Sequence, residues 1–279
     1  MKNALAEKTF VVVVTFNPEV DLLKKNLRAI SSQFANILIV DNDSKNIAEI
    51  EKLAARLNVK IEKLAENFGI AKAQNVGLAV ASRKKFGWLL TMDQDSIIPK
   101  NLSAEYQKVL ESHDNVGLIG WNQQPRKNDP EVKDSWWIIS SGCLYKISVL
   151  EECGKFDTKL FIDHVDDDIN IRVRNLGYKT LITKKVDLHH QLGTRTLHKT
   201  IRGAVYFAHN PVRVYYIVRN GVVIFKRYFF SQPLWMMYEI KNNIREGIYL
   251  LLYQPNKFKN FFLLLRAWFD GLTNRLGKY

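Results

Sequence analysis

Short apolar runs alternate with helical stripes along the first 120 residues. Phe10 to Thr15 is a β-branched apolar run, long enough for one buried strand. Leu23, Leu27 and Ile30 follow at helical spacing. Ile37 to Val40 is a second strand, closed by Asp41-Asn42-Asp43-Ser44, which is turn and N-cap chemistry. Ile47, Ile50, Leu53, Ala54 and Leu57 form another stripe, and Val59, Ile61 and Leu64 suggest a third strand. Ala71 to Ser82 reads as a small-residue helix and Trp88 to Met92 as a fourth strand. Pro99 suits a helix start ahead of Leu102, Tyr106, Val109 and Leu110, and Val116 to Ile119 is a fifth strand. This rhythm predicts an α/β fold with a mostly parallel, buried sheet and helices on both faces. Ligands of such sheets sit beyond the carboxyl ends of the strands. That rule points at Thr15-Phe16-Asn17, Asp41 to Ser44, Asp93-Gln94-Asp95 and the turn before Trp121.

Charge changes the picture at residue 200. The 279-residue chain carries a net charge of +13, of which +9 lies in residues 201–279 together with 18 of the 32 aromatic residues. We therefore expect a module over 1–200 and a helical, basic-aromatic extension over 201–279. The extension's apolar faces could pack on the core, pair with a second copy as a homodimer, or meet an anionic membrane. Nucleic acid is not expected as a partner, because no matching motif occurs and acid-rich strand ends repel phosphate. No leader is expected, since Glu7 precedes only a five-residue apolar run. No run approaches the ~20 apolar residues of a spanning helix. Two cysteines, Cys143 and Cys153, are too few for a disulfide framework and suggest a reducing compartment. Cys143 reads as a small buried filler rather than a nucleophile.

No dinucleotide or P-loop fingerprint is present, so any phosphates are handled by other means. Asp93 and Asp95 bracket Gln94 directly after a strand. In extended backbone, residues two apart point to one side, and two such carboxylates make a hard oxygen site for Mg²⁺ or Mn²⁺. The alternative is a pair of solvated loop acids. Asp163, Asp166, Asp167 and Asp168 precede a helical stripe. They read either as decoration of a helix N-terminus or as a source of one general base. In His189-His190-Gln191-Leu192-Gly193 an imidazole could complete a metal site or meet a phosphate.

Taken in order, these segments resemble a family 2 glycosyltransferase of GT-A fold, and within it the bacterial dTDP-rhamnosyltransferase branch. The resemblance rests on Val14-Thr15-Phe16-Asn17-Pro18, Ile39 to Ser44, Glu66-Asn67-Phe68-Gly69 through Asn75 to Gly77, and Leu90 to Ser96. Ser140-Ser141-Gly142, Phe161 to Asp166 with Arg172, Gly177-Tyr178-Lys179, His190 to Gly193 and Arg213 to Asn220 complete it. The resemblance implies that Thr15, Phe16, Asn17, Asp41 and Asn42 line a nucleotide pocket. Asn67, Gly69 and Asn75 would shape its wall, with Gln94 beside the donor. Asp93 and Asp95 would hold Mg²⁺ or Mn²⁺, with His190 near the metal or diphosphate. Gly142 would admit the donor sugar or acceptor. Asp166 would be the catalytic base, with Asp167 and Asp163 as rivals.

The implied reaction is inverting transfer of L-rhamnose from dTDP-L-rhamnose to a lipid-linked saccharide acceptor in bacterial surface polysaccharide synthesis. The implied location is the cytoplasmic face of the plasma membrane, reached through residues 201–279. The same fold with a UDP-hexose donor is the alternative within the family. A basic protein that binds nucleic acid or anionic lipid without chemistry is the alternative outside it. Residues 121–135 are expected to form an acceptor-side loop.

Overall fold

The β-branched apolar runs form the central strands. The computed structural model describes residues 3–190, 196–199 and 205–279, with the backbone alone at 189–190, 196–199 and 205–208. Contacts divide the chain into two compact units, 1–158 with 166–191, and 159–165 with 192–279.

In the first unit α1 (Ala4–Glu7) precedes β1 (Thr9–Thr15), which is buried along its whole length. Then come α2 (Val20–Ser31), β2 (Ile37–Asp41), α3 (Ile47–Arg56), β3 (Lys60–Lys63), α4 (Ile70–Arg83), β4 (Trp88–Asp93) and the short β5 (Ser96–Ile97). They are followed by α5 (Leu102–Ser112), β6 (Val116–Trp121), β7 (Val132–Asp134), β8 (Cys143–Lys146), α6 (Ile147–Glu152), α7 (Val165–Asn175), β9 (Lys179–Thr183) and β10 (His189–His190). Each strand and helix expected over residues 10–119 is present.

Eight strands make one sheet in the order β3-β2-β1-β4-β8-β6-β9-β7. β1, β2, β3 and β4 run parallel, as do β6 and β9. β8 runs against both β4 and β6 and so joins the two parallel halves. Val11, Val13, Ile39, Leu90 and Leu144 on the sheet pack with Leu23, Leu27 and Ile30 of α2 and Tyr106 of α5 in one core. The register sets Thr15 beside Asp41 and Val14 beside Asp93. The carboxyl ends of β1, β2 and β4 therefore finish level, which gathers three of the four expected segments at one edge.

The second unit holds the hairpin β11 (Thr196–Lys199) and β12 (Val205–Ala208) and the helices α8 (Pro211–Tyr228), α9 (Pro233–Tyr253) and α10 (Lys257–Leu272). Val214, Tyr215, Val218, Leu250, Leu264 and Ala267 form its core. Among the described residues no helix is long and apolar enough to cross a membrane.

Residues 159–165 belong to this unit because α8 holds them. The Asn220 Nδ2 group donates to the carbonyls of Leu160, Ile162 and Asp163 at 2.8, 2.8 and 3.0 Å. The buried Arg219 donates to Leu160 O at 3.1 Å, to Gly277 O at 2.6 Å and to Asn220 Oδ1 at 3.0 Å. Arg213 pairs with the Asp163 carboxylate at 3.0 Å, and the Phe161 ring stacks on Tyr216. Such restraint is needed because Phe161, Asp163 and His164 all have φ near +60° to +68°, a conformation that costs about 1–3 kcal/mol per non-glycine residue. Asn220→Ala strips three carbonyls of their donor, and we expect it to lose about 1–3 kcal/mol in urea unfolding. Limited proteolysis of the same variant should open the chain within 160–164. Unchanged stability and resistance would show the strained turn to be held by other contacts.

Candidate active site

At the level strand ends, Asp41 organises the turns after β1 and β2. It is 1% exposed. Its Oδ1 accepts from the hydroxyls of Thr15 at 2.7 Å and Ser44 at 2.6 Å, and its Oδ2 from the Ser44 amide at 2.8 Å. Ser44 Oγ in turn accepts from the Asn17 amide, and Asn17 Oδ1 accepts from the Lys45 amide. Asn17 and Asp43 take left-handed backbone, as short polar residues do in tight turns. The carboxylate is thus used up in building the turns. Asn42, beside it, is buried, and its Oδ1 meets no donor among the described residues. A buried acceptor left open is costly unless a ligand supplies the donor.

Phe16 projects its ring with 45% exposure. Gln94 fixes its backbone, accepting from Phe16 N at 2.7 Å and donating to Phe16 O at 3.3 Å. Gln94 was expected beside the donor, but its amide is spent tying the end of β1 to the turn after β4. Asn67 Oδ1 accepts from Gly69 N, and Gly69 starts α4 at φ +85° and ψ 171°, a region open only to glycine. Asn42 Nδ2 donates to Gly69 O. Asn75 is a departure from expectation. Both ends of its amide bond the backbone of Phe156, at 2.8 and 3.1 Å, so it pins α4 to the loop after α6 rather than facing a ligand.

Asp93 ends β4 and is half-buried, as is Asp95. Residues 94 and 95 form a turn before β5, so the alternation of extended backbone does not run from Asp93 to Asp95. Asp93 is thus the last strand residue and Asp95 belongs to the turn that follows. Asn26 holds it from beneath, donating to Asp93 O at 2.9 Å and to Ser96 O. Two carboxylates on one supported turn are oxygen donors that fit a hard divalent cation such as Mg²⁺ or Mn²⁺. The His190 backbone pairs with Ser96 across β10 and β5. The side chain of His190 and residues 191–193 lie outside what is described.

The turn Ser140-Ser141-Gly142 connects this edge to α7. The Asp93 amide donates to Ser141 Oγ at 3.2 Å, and Ser141 Oγ donates to Ser96 Oγ at 2.7 Å. One residue back, the Ser140 amide donates to Asp166 Oδ2 at 3.0 Å. Asn170, one helical turn beyond Asp166, donates to Ile138 O at 2.8 Å, so two positions on one face of α7 hold the same segment. Sequence reasoning quoted these serines without giving them a role.

Gly142 also departs from expectation. It is buried at φ +79°, and an added Cβ would lie 2.5 Å from a Leu188 methyl and 3.3 Å from the Trp121 ring. Protein side chains, not a ligand, demand glycine there. Cys143 follows it, fully buried, and burial pushes its thiol well above the usual range. That suits a filler and not a nucleophile.

The acids of α7 differ in their partners. Asp168 is buried and bonded to Arg172 at 2.6 and 2.9 Å, while that guanidinium also donates to Cys153 O. Asp163, a rival for the base, belongs to the second unit and is held by Arg213. Asp167 is 8% exposed. Asp166 is half-buried and attached to the same turn as Asp93.

The profile of Glycosyl transferase family 2 matches residues 10–164, more than half the chain. The chain belongs to that family. A dTDP-rhamnosyl transferase, RfbF of Shigella flexneri, is 29% identical over 96% of both chains. A mannosyltransferase, PcManGT of Pyrobaculum calidifontis in complex with GDP-Man and Mn²⁺, superposes with a TM-score of 0.57 at 19% identity, over 96% of this chain and 74% of that one. Residues 1–349 of TarS from S. aureus, in complex with UDP-GlcNAc, superpose with a TM-score of 0.56 at 16% identity, over 98% and 81%. The fold is therefore of GT-A type with C-terminal helices, and the chain is a glycosyltransferase.

The expected acceptor-side loop also gains an account. Asp129 Oδ2 accepts from Lys133 Nζ at 2.7 Å, Asn122 Nδ2 at 3.0 Å and the Arg126 amide at 3.1 Å. The bond from Lys133, then that from Arg126, lower the Asp129 pKa from 3.8 to about 2. A lowered carboxylate pKa stabilises the loop fully above pH 3.8 and loses that effect as pH falls through about 2. By carboxyl ¹³C NMR we expect the Asp129 midpoint near 2, moving up in Lys133→Met. An ordinary midpoint in the unaltered protein would mean that the lysine does not hold the loop in solution.

Proposed function

We propose that this glycosyltransferase moves L-rhamnose from dTDP-L-rhamnose to a saccharide hydroxyl with inversion, using a divalent metal. The observation that carries the mechanism is the Ser140-Ser141 link, which fastens Asp166 and the Asp93 strand end to one turn. The donor comes from the likeness to the dTDP-rhamnosyl transferase.

The nucleotide rests on the ends of β1 and β2. The exposed Phe16 ring offers a stacking face for the pyrimidine, and the open Asn42 Oδ1 accepts its ring N–H. Asp93 and Asp95 hold Mg²⁺ or Mn²⁺, which when bound supplies positive charge to the leaving diphosphate. Asp166 takes the proton of the acceptor hydroxyl as that oxygen bonds to the anomeric carbon. The bond from that carbon to the diphosphate oxygen breaks, and dTDP departs. No covalent sugar-enzyme bond is needed, so configuration inverts.

The acceptor is a lipid-linked saccharide of bacterial surface polysaccharide synthesis. The enzyme works at the cytoplasmic face of the plasma membrane, where residues 201–279 meet the lipid. Their exposed Phe230, Leu234 and Phe258 and their net charge of +9 support this placement. Pairing of two copies through the same residues is the competing use of that surface.

Calorimetric titration with dTDP and UDP, with and without Mn²⁺, tests the donor. We expect metal-dependent binding that favours dTDP and is lost in Asp95→Ala. Equal or tighter UDP binding would transfer the reading to a UDP-hexose. Asp166→Asn should keep dTDP binding and lower kcat by about 10²–10⁴-fold. Full activity of that variant would remove Asp166 from the mechanism.

A further inference from the structure

Residues 135–140 join β7 to the turn that carries Ser140 and Ser141, and α7 holds them along their length. The Arg174 guanidinium lies over the Trp136 ring, 3.8 Å from its centroid. Asn170 donates to Ile138 O at 2.8 Å, and the Ser140 amide donates to Asp166 Oδ2 at 3.0 Å. Positions four apart on α7 thus meet alternate residues of the segment. Four helical residues rise about 6 Å and two extended ones about 6.6 Å, so the segment runs antiparallel to α7 and in step with it. Its start is fastened to β9, where the Ser135 amide donates to Thr180 O at 2.9 Å and the Thr180 hydroxyl donates to Ser135 O at 2.6 Å. Ile138 is buried against Gly120, where an added Cβ would lie 2.2 Å from its methyl.

Within 135–140 only Trp137 is exposed, at 49%. Its backbone is locked as well, since Ser135 Oγ accepts from its amide at 3.2 Å and donates to its carbonyl at 2.8 Å. We propose that the Trp137 indole is the platform on which the acceptor saccharide stacks, so that the attacking hydroxyl is set toward Asp166. The inference rests on the transfer reading above and assigns that reaction an acceptor-binding residue. An indole presents a flat apolar face with negative charge over the ring. That face suits the C–H bonds that a pyranose displays on one side, while the sugar's hydroxyls stay in water or meet polar groups. A large aromatic left in water costs free energy, and one whose backbone is already fixed loses little entropy when a ligand covers it. The distance is suitable too. Three residues separate Trp137 from Ser140, so their Cα atoms lie at most about 11 Å apart, and the Ser140 amide touches the Asp166 carboxylate. A saccharide spans that interval. The neighbouring Trp136 cannot serve in the same way, because the Arg174 guanidinium covers its face.

The test labels the full chain with 5-fluorotryptophan, which reports on each of its 6 tryptophans by ¹⁹F NMR. Trp137→Phe assigns the Trp137 line. The probes are methyl α-L-rhamnoside, methyl β-D-glucoside and methyl N-acetyl-β-D-glucosaminide, with glycerol as the control polyol. We expect at least one pyranoside to shift the Trp137 line saturably, and glycerol to leave it in place. In transfer from dTDP-L-rhamnose to the pyranoside that shifts the line most, Trp137→Ala should raise the acceptor KM about tenfold with a smaller change in kcat, and Trp137→Phe should restore most of the loss. Circular dichroism and calorimetric titration with dTDP on the same preparations separate this from folding and from the donor site. A Trp137 line that moves with a pyranoside in a protein that does not bind dTDP supports the platform and removes the donor reading alone. A line unmoved by all three pyranosides, in a protein that binds dTDP with metal, overturns the platform and leaves the donor reading standing. A shift equal to that given by glycerol also overturns it. So does a fall in kcat at unchanged KM in Trp137→Ala, since the ring would then act on the segment and not on the acceptor.

Discussion

The candidate site depends on one turn, Ser140-Ser141-Gly142. Its first residue donates an amide to Asp166, and its second bonds the Asp93 amide and Ser96. Gly142 passes into β8, the strand that runs against both β4 and β6. The Gly142 amide donates to Thr91 O at 2.8 Å, its carbonyl accepts from the buried Tyr106 hydroxyl at 2.7 Å, and the Trp121 indole donates to Ser141 O at 3.0 Å. Core aromatics from two elements therefore set the path of the turn, and the turn sets two acids 73 residues apart in sequence on a common frame. A polar site can be fixed this tightly only if its supports are themselves buried and satisfied.

How much of this the amino-acid pattern disclosed follows from the range of the interactions. Strands β1 to β4 and β6, α2 to α5 and the strand-end turns are specified by local periodicity and by turn chemistry, and they were legible. The resemblance placed Asp41 in the nucleotide pocket, and the linear sequence does not show its hydrogen-bond partners. The three donors that saturate it come from Thr15 and Ser44, and only the parallel register of β1 on β2 brings Thr15 to it. The protein partners of Asn75, Gln94 and Gly142 were hidden for the same reason. Each serves a backbone partner distant in sequence, and nothing in a linear pattern marks that partner. The strand alternation invoked for Asp93 and Asp95 does not hold, since a turn replaces the strand at residue 94.

The second unit separates composition from packing in the same way. Its basic, aromatic character is a sum over residues and needs no structure to see. That α8 would reach back to residues 159–165 is a long-range pairing. Only Arg213, Arg219 and Asn220, spaced at six and then one along α8, hint at a face with work to do. Three left-handed residues at 161, 163 and 164 would not persist in an isolated chain. They are held because Asn220 and Arg219 satisfy the carbonyls that such a turn exposes.

The acids around the start of α7 illustrate how neighbours divide roles among like residues. All four of Asp163, Asp166, Asp167 and Asp168 carry the same group within six positions. Asp168 lies one turn before Arg172, so helix geometry alone delivers a guanidinium to it. Asp163 sits outside the helix, in the left-handed stretch that exposes it to Arg213. Each of these two carboxylates is held in an ion pair. Asp166 instead faces the segment 138–140, where a backbone amide orients Oδ2, and Asn170 fixes the helix to that segment one turn later. The aspartates thus differ in which partner each position meets on the helix and on the turn before it, and not in the groups they carry.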